Sequence, residues 1–376
     1  MFKRLVLCSS FLFLALLLVV SATPSANAAD TIKIGLSAPL TGDWAEYGND
    51  FKRSVTMVFD AANKAGGIDG KQLELVILDS RGDPKESVLI AEKFVANPDI
   101  IAEIGDFSSS SCMAAAPVYE KANMVQLSPT SSHMDFTKKG KNMFRVVTTQ
   151  GIEGPFNARW AVKDLGKKRI ATVYINNDWG VDANKYFVEE AEKLGAEILT
   201  QEAFVPGEKD FTAILTKIKR LKPDLVYLPA FYADAAAILN QAKRMHFKTT
   251  VMAPGSLFSE KTIELGGQAV EGILVAANYF STDPRPAAQA FNKAYQAAYG
   301  KKPNMFAALA YDAAGLMVAA LKVPGVDSRA KVRPALEGLK GYNGATGSIS
   351  YANGHDPQKE LLKITIKDGK WVVYNR

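Results

Sequence analysis

Four consecutive serines, Ser108, Ser109, Ser110 and Ser111, lie between an apolar run, "DIIAEIGDF", and an alanine-rich segment of helical character, "CMAAAPVYEKA". A hydroxyl donates one hydrogen bond and accepts two. A run of hydroxyls opening a helix can therefore cap free N–H groups, hold an anion, or both. Capping needs one serine. A second cluster, Thr130, Ser131 and Ser132 in "LSPTSS", follows the next apolar run. Two such clusters at strand-to-helix junctions suit a compact anionic group such as a carboxylate; a linker or plain caps would also account for them. A third group is aromatic: Trp179 in "NNDWGVD", and Phe231 with Tyr232 in "PAFYAD". These rings can line an apolar pocket, face a cation or simply pack a core.

The elements that would carry these residues alternate. "TIKIGLSAPL" and "LELVILD" read as buried strands, and the helix between them puts Phe51, Val55, Val58 and Ala62 on one face before Gly66 and Gly67. Asp83 and Pro84 supply an N-cap and a first-turn residue for the next helix. The rhythm restarts near Gly151, with "RIATVYINND", "DLVYLPAFY", "TTVMAPG" and "VEGILVAANYF" as strands between helical patterns. Alternation of this kind implies α/β architecture, with two lobes of mainly parallel sheet flanked by helices. After residue 284 the pattern turns helical, then ends in a hairpin signal in which Asp368 and Gly369 join "ELLKITI" to "KWVVYNR". In open α/β sheets a ligand sits beyond the carboxyl ends of the strands. That is where the hydroxyl and aromatic clusters fall.

The chain begins "MFKRLVLCSSFLFLALLLVVSATPSANAAD": a basic start, an apolar stretch and a small-residue site. This predicts a signal peptide over residues 1–28, cleaved after Ala28, and an exported chain. Without the segment holding Cys8, one cysteine remains, Cys112, so no internal disulfide is expected. A chain of 376 residues can bury its own core without one. The net charge is +6, but the basic residues are scattered, and "KKGK" has no aromatics beside it, which argues against a nucleic-acid surface. There is no G-x-S-x-G elbow, no Walker A sequence and no G-x-G-x-x-G after the first strand. His133, His246 and His355 have no metal-ligand spacing. The residues point to binding rather than catalysis, with no cofactor and no metal.

Four stretches, "IKIGLSAPLTGDWAEYG", "AGGIDGKQLELVILDSRGDP", "IGDFSSSSCMAAAPVYEKANMVQLSPTSS" and "GEKDFTAILTKIK", resemble the leucine/isoleucine/valine-binding periplasmic proteins, the type I substrate-binding proteins of ABC importers. The resemblance runs in order over nearly the whole chain after the signal. It implies two lobes joined by three crossovers, near Val147, Phe280 and His355, with residues 29–147 and 281–355 in one lobe and 148–280 and 356–376 in the other. It implies a monomer that closes on a small, branched-chain or otherwise apolar amino acid and delivers it to a membrane permease and its ATPase. Carried over by position, Ser109, Ser110, Thr130, Ser131 and Ser132 would hold the α-carboxylate, with Tyr47, Trp179 and Phe306 shaping the pocket. The sequence departs from the family in two respects. The first-lobe cysteine pair is missing. Where branched-chain binders carry a glutamate for the α-ammonium, this chain has Gly255 and then Ser256. Either another carboxylate substitutes, with Asp182, Asp234 and Asp312 as candidates, or the ligand is a carboxylate, aromatic acid or amide without an ammonium. Transport and ligand sensing are both open.

Overall fold

The computed structural model describes residues 31–351 and 354–375. The expected signal segment lies outside them.

The first sheet is built from β1 (Thr31–Ala38), then α1 (Ala45–Lys64), β2 (Gln72–Asp79), α2 (Pro84–Ala96), β3 (Ile100–Ile104), α3 (Ser109–Lys121), β4 (Val125–Ser128) and β5 (Met143–Arg145). Its strand order is β2-β1-β3-β4-β5, and every neighbouring pair is parallel. α1 turns Phe51, Val55 and Ala62 inward, as their spacing requires. α2 starts where the sequence marks it: the Asp83 side chain accepts from the Lys85 N–H at 2.7 Å, and Pro84 occupies the first turn.

The chain then crosses between Arg145 and Gln150 into α4 (Gln150–Arg159), followed by β6 (Arg169–Ile175), α5 (Asp178–Lys193), β7 (Glu197–Phe204), α6 (Thr212–Leu221), β8 (Leu225–Tyr227), α7 (Tyr232–Arg244), β9 (Thr250–Ala253), α8 (Glu260–Gly266) and β10 (Leu274–Ala277). A second crossing leads to α9 (Pro286–Tyr299), α10 (Met305–Leu321) and α11 (Arg329–Gly338), which pack on α1 and on β3 and β4 of the first lobe. The short pair β11 (Tyr342–Gly344) and β12 (Gly347–Ile349) follows. The third crossing returns the chain to the second sheet as β13 (Leu362–Lys367) and β14 (Lys370–Val373). The second sheet has the order β14-β13-β10-β9-β8-β6-β7, with only the terminal hairpin antiparallel. Asp368 and Gly369 both have positive φ, 53° and 67°, the backbone a two-residue hairpin turn requires.

The result is a two-lobed α/β molecule in which the chain passes between the sheets three times. Cys112 is buried in the first lobe as a free thiol. Among the described residues, no helix is long and apolar enough to cross a membrane.

Candidate functional site

The serine run divides its tasks. Ser108 is the N-cap of α3, its Oγ accepting from the Ser111 N–H at 3.1 Å. Ser109 Oγ accepts from the backbone N–H of His133 at 3.2 Å, which ties the two hydroxyl clusters together. In the second cluster, Ser128 Oγ accepts from the N–H groups of Thr130 and Ser131 and donates to the Asp106 carbonyl, folding the turn after β4. Thr130 Oγ1 donates to the Phe107 carbonyl at 2.7 Å, so its hydrogen is used within the first lobe.

Ser132 differs. Its Oγ accepts from Gln150 Nε2 at 2.9 Å and from Trp179 Nε1 at 3.1 Å. With both lone pairs taken, its O–H is left to donate elsewhere. Ser109, with the His133 N–H on its oxygen, likewise keeps a free hydrogen. Both line a small cavity of about 40 Å³ between the lobes, together with Phe107, Ser108, Thr130, Val147, Gln150, Glu153, Trp179, Phe231, Gly255, Ser256, Asn278, Met305 and Phe306. Trp179 stacks on Phe231 with ring centroids 4.8 Å apart, forming one wall.

The same cavity is lined by a carboxylate, bridged to Ser132 through Gln150 Nε2. Glu153, on α4, is only 7% exposed. Its Oε1 accepts from the Gly255 N–H at 2.6 Å and its Oε2 from Gln150 Nε2 at 2.8 Å. Burial pushes its pKa up, while the Gly255 and Gln150 hydrogen bonds pull the other way. Because the carboxylate demands an N–H from Gln150, the Gln150 amide is oriented, and its Oε1 is buried without a partner. The packing also explains why the acid is not at position 255. A Cβ there would lie 2.8 Å from Met305 Cε and 2.9 Å from the Ala276 carbonyl, closer than side chains approach one another.

Eight of the residues singled out from sequence line this cavity: Ser109, Thr130, Ser132, Trp179, Phe231, Gly255, Ser256 and Phe306. Of these, Ser256 donates its hydroxyl to the Ala230 carbonyl at 2.7 Å. The others lie elsewhere. Tyr47 is fully buried beneath the cavity, stacked on Phe107 at 4.2 Å, with its hydroxyl donating to the Ser256 carbonyl and accepting from the Tyr232 N–H. It is an interlobe tie, and so is Tyr232, whose hydroxyl accepts from the Glu46 N–H. Ser131 presents its carbonyl to the buried Arg145. Ser110 and Asp234 line a separate cavity of about 560 Å³. Asp182 accepts from the Met134 N–H at 3.0 Å across the lobes. Asp312 accepts from the N–H groups of Ala345 and Thr346, at 2.7 and 2.8 Å. None of the three candidate aspartates lines the cavity.

Sequence reasoning missed Glu153, Gln150 and Asn278. The available signal was "TTQGIEGP", which puts an amide and an acid three residues apart on the helix that opens just after the first crossing. A further cavity, about 1090 Å³, lies in the second lobe beside α6 and α7. Its floor is aliphatic, and at its rim Lys243 is bonded to Gln268 and Glu271 to the Asp368 and Gly369 amides, so it gathers no polar set comparable to that around Glu153.

The sequence matches the periplasmic binding protein family over residues 31–370. The chain belongs to that family. It is similar to a leucine-, isoleucine-, valine-, threonine- and alanine-binding protein of Pseudomonas aeruginosa, with 29% identity over 92% of this chain and 91% of the relative. Among solved structures it is similar to the leucine-binding protein LivK of Thermotoga maritima (TM-score 0.87, 27% identity, 92% of this chain and 98% of that one). It is also similar to the branched-chain amino acid binding protein LivJ of Streptococcus pneumoniae in complex with isoleucine (TM-score 0.85, 29% identity, 91% and 97%). The fold is that of a type I periplasmic binding protein, and the chain is a substrate-binding protein, not an enzyme. Its site brings two O–H donors and a buried carboxylate into one cavity, groups that can bond the two ends of a zwitterion.

Proposed function

We propose that this binding protein captures a small amino acid between its lobes and presents it to an ABC permease and ATPase as an extracytoplasmic, monomeric component of an importer. The observation that carries this reading is the presence in one cavity of the Ser109 and Ser132 hydroxyls and buried Glu153. The hydroxyls suit the α-carboxylate. Glu153 and the free Gln150 Oε1 suit the α-ammonium, taking the part that a glutamate at position 255 would have. A ligand without an amino group would leave Glu153 either charged and uncompensated in a closed space or holding a proton, and both are unfavourable in neutral water.

Residues 29–147 with 281–355 would form one lobe and 148–280 with 356–376 the other. Closure brings Trp179 to Ser132 and Tyr47 to Ser256, so ligand binding and interlobe hydrogen bonding are completed together. The names of the relatives and the enclosing rings Phe107, Trp179, Phe231 and Phe306 support an aliphatic amino acid of modest size.

The test is a thermal-shift screen of protein stripped of carried ligand, against the common amino acids and small aliphatic and aromatic acids and amides. An amino acid at about 100 times its dissociation constant is expected to stabilise the fold by roughly 2.7 kcal/mol. Stabilisation only by acids lacking an amino group would contradict the proposal.

A further inference from the structure

Four rings in the cavity wall hold one another in place. Trp179 stacks on Phe231 at 4.8 Å, Phe231 packs on Phe107 at 5.3 Å, and Phe107 on Phe306 at 5.8 Å between centroids. In a close-packed interior none of them turns aside without displacing the next. Met305, at the start of α10 and buried, is the unbranched member of the same wall. It is held at two points. Its Sδ accepts from the Asn278 N–H at 3.2 Å, and its Cε and Sδ fill the space that a Cβ on Gly255 would need, at 2.8 and 3.3 Å from it. The Gly255 N–H in turn binds Glu153. In an α-amino acid the ammonium and the side chain leave the same carbon, so a ligand held by Glu153 starts its side chain close to Met305. The space there is limited. The cavity is about 40 Å³, and one water takes up about 10–15 Å³ of such space, so it holds roughly three. That is the bulk of glycine or alanine; leucine adds an isopropyl group to alanine.

We propose that Met305 sets the upper size of the ligand's side chain, so that the protein takes the smallest aliphatic amino acids, alanine above all, in preference to leucine. The inference rests on the amino-acid reading of the same cavity and narrows it. A longer side chain either displaces Met305 from the Asn278 N–H or holds the lobes apart. In the second case the bonds completed on closure, Trp179 to Ser132 and Tyr47 to Ser256, are stretched. Both are forms of overpacking, and both count against the larger ligand.

Titration calorimetry with L-alanine and L-leucine tests this on wild type, Met305→Ala and Met305→Leu. The wild type is expected to bind alanine at least about tenfold more tightly than leucine. Met305→Ala removes the end of the wall and should reverse that order. Met305→Leu, a swap of similar volume, should keep it, which separates bulk from the contact made by the sulfur. Leucine binding as tightly as alanine to the wild type, which requires no variant to fold, overturns the inference and leaves the amino-acid reading standing. An alanine preference that survives in folded Met305→Ala overturns the assignment to Met305. Failure of both amino acids to bind, with propionate binding instead, overturns the amino-acid reading and the inference with it.

Discussion

Glu153 and Asp312 are both carboxylates withdrawn from solvent, and burial raises the pKa of each. Their surroundings differ. Asp312 accepts from the N–H groups of Ala345 and Thr346 and from the Thr346 hydroxyl, while buried Lys359 bonds that same hydroxyl and lies close enough to offset part of its charge. Lys359, in the third crossing, has its own pKa pushed down to about 8 by burial. This is a closed junction holding α10, the β11–β12 turn and the returning chain, with no capacity left for a ligand. Glu153 has two donors only, opens onto a cavity, and stands beside an amide oxygen with no partner. A buried acid whose partners are complete fixes structure, and one whose partners are incomplete is available to a cation.

The largest effect that would break this comparison is on Asp312. Asp312→Ala leaves Lys359 buried without its carboxylate and two backbone N–H groups unpaired. It should destabilise the protein by about 3–5 kcal/mol in urea unfolding. A loss under about 1 kcal/mol would mean that the junction is dispensable.

A smaller effect sharpens the comparison from a third carboxylate. Asp234, in its separate cavity, has its pKa pushed up to about 6, chiefly by burial, and is bonded to the Gly207 N–H. Its folded pKa lies above the ordinary aspartate value, so the folded state takes up its proton more readily than the unfolded chain. The cost of its charge is present in full above about pH 6 and is relieved as pH falls toward 4. Asp234→Asn should therefore stabilise the fold at pH 8 by roughly 1–3 kcal/mol and change little at pH 4. Stabilisation that does not depend on pH would contradict this origin.

Much of the fold was legible because each local signal agreed with the next. Asp83 and Pro84 opened α2, the 3.6-residue spacing of Phe51 and Val55 gave α1 its face, and Asp368 with Gly369 closed the terminal hairpin. The hydroxyl side of the cavity was legible for the same reason. Its hydroxyls sit at strand ends of one lobe, close in sequence to the helices they open. Glu153 and Gln150 were hidden because they lie on a helix just beyond a crossing: Gln150 reaches Ser132 only across the two lobes, and Glu153 reaches Gly255 only through packing within the second. Asp312 misled for a geometric reason. It shares α10 with Phe306, but six residues further along a helix lie about 240° round its axis, so one faces the cavity and the other faces the β11–β12 turn.

The central claim is that Glu153 is the counter-charge of an amino-acid ligand. It is tested most directly by titration calorimetry of L-alanine and propionate, which differ only in the amino group, against wild type and Glu153→Gln. The amide keeps the shape of the side chain and can still accept the Gly255 N–H. The account predicts that wild type prefers alanine and that the substitution weakens alanine binding by ~2 kcal/mol, on the order of 30-fold, with little change for propionate. Equal affinities in wild type, or a preference for alanine unchanged by Glu153→Gln, would contradict it.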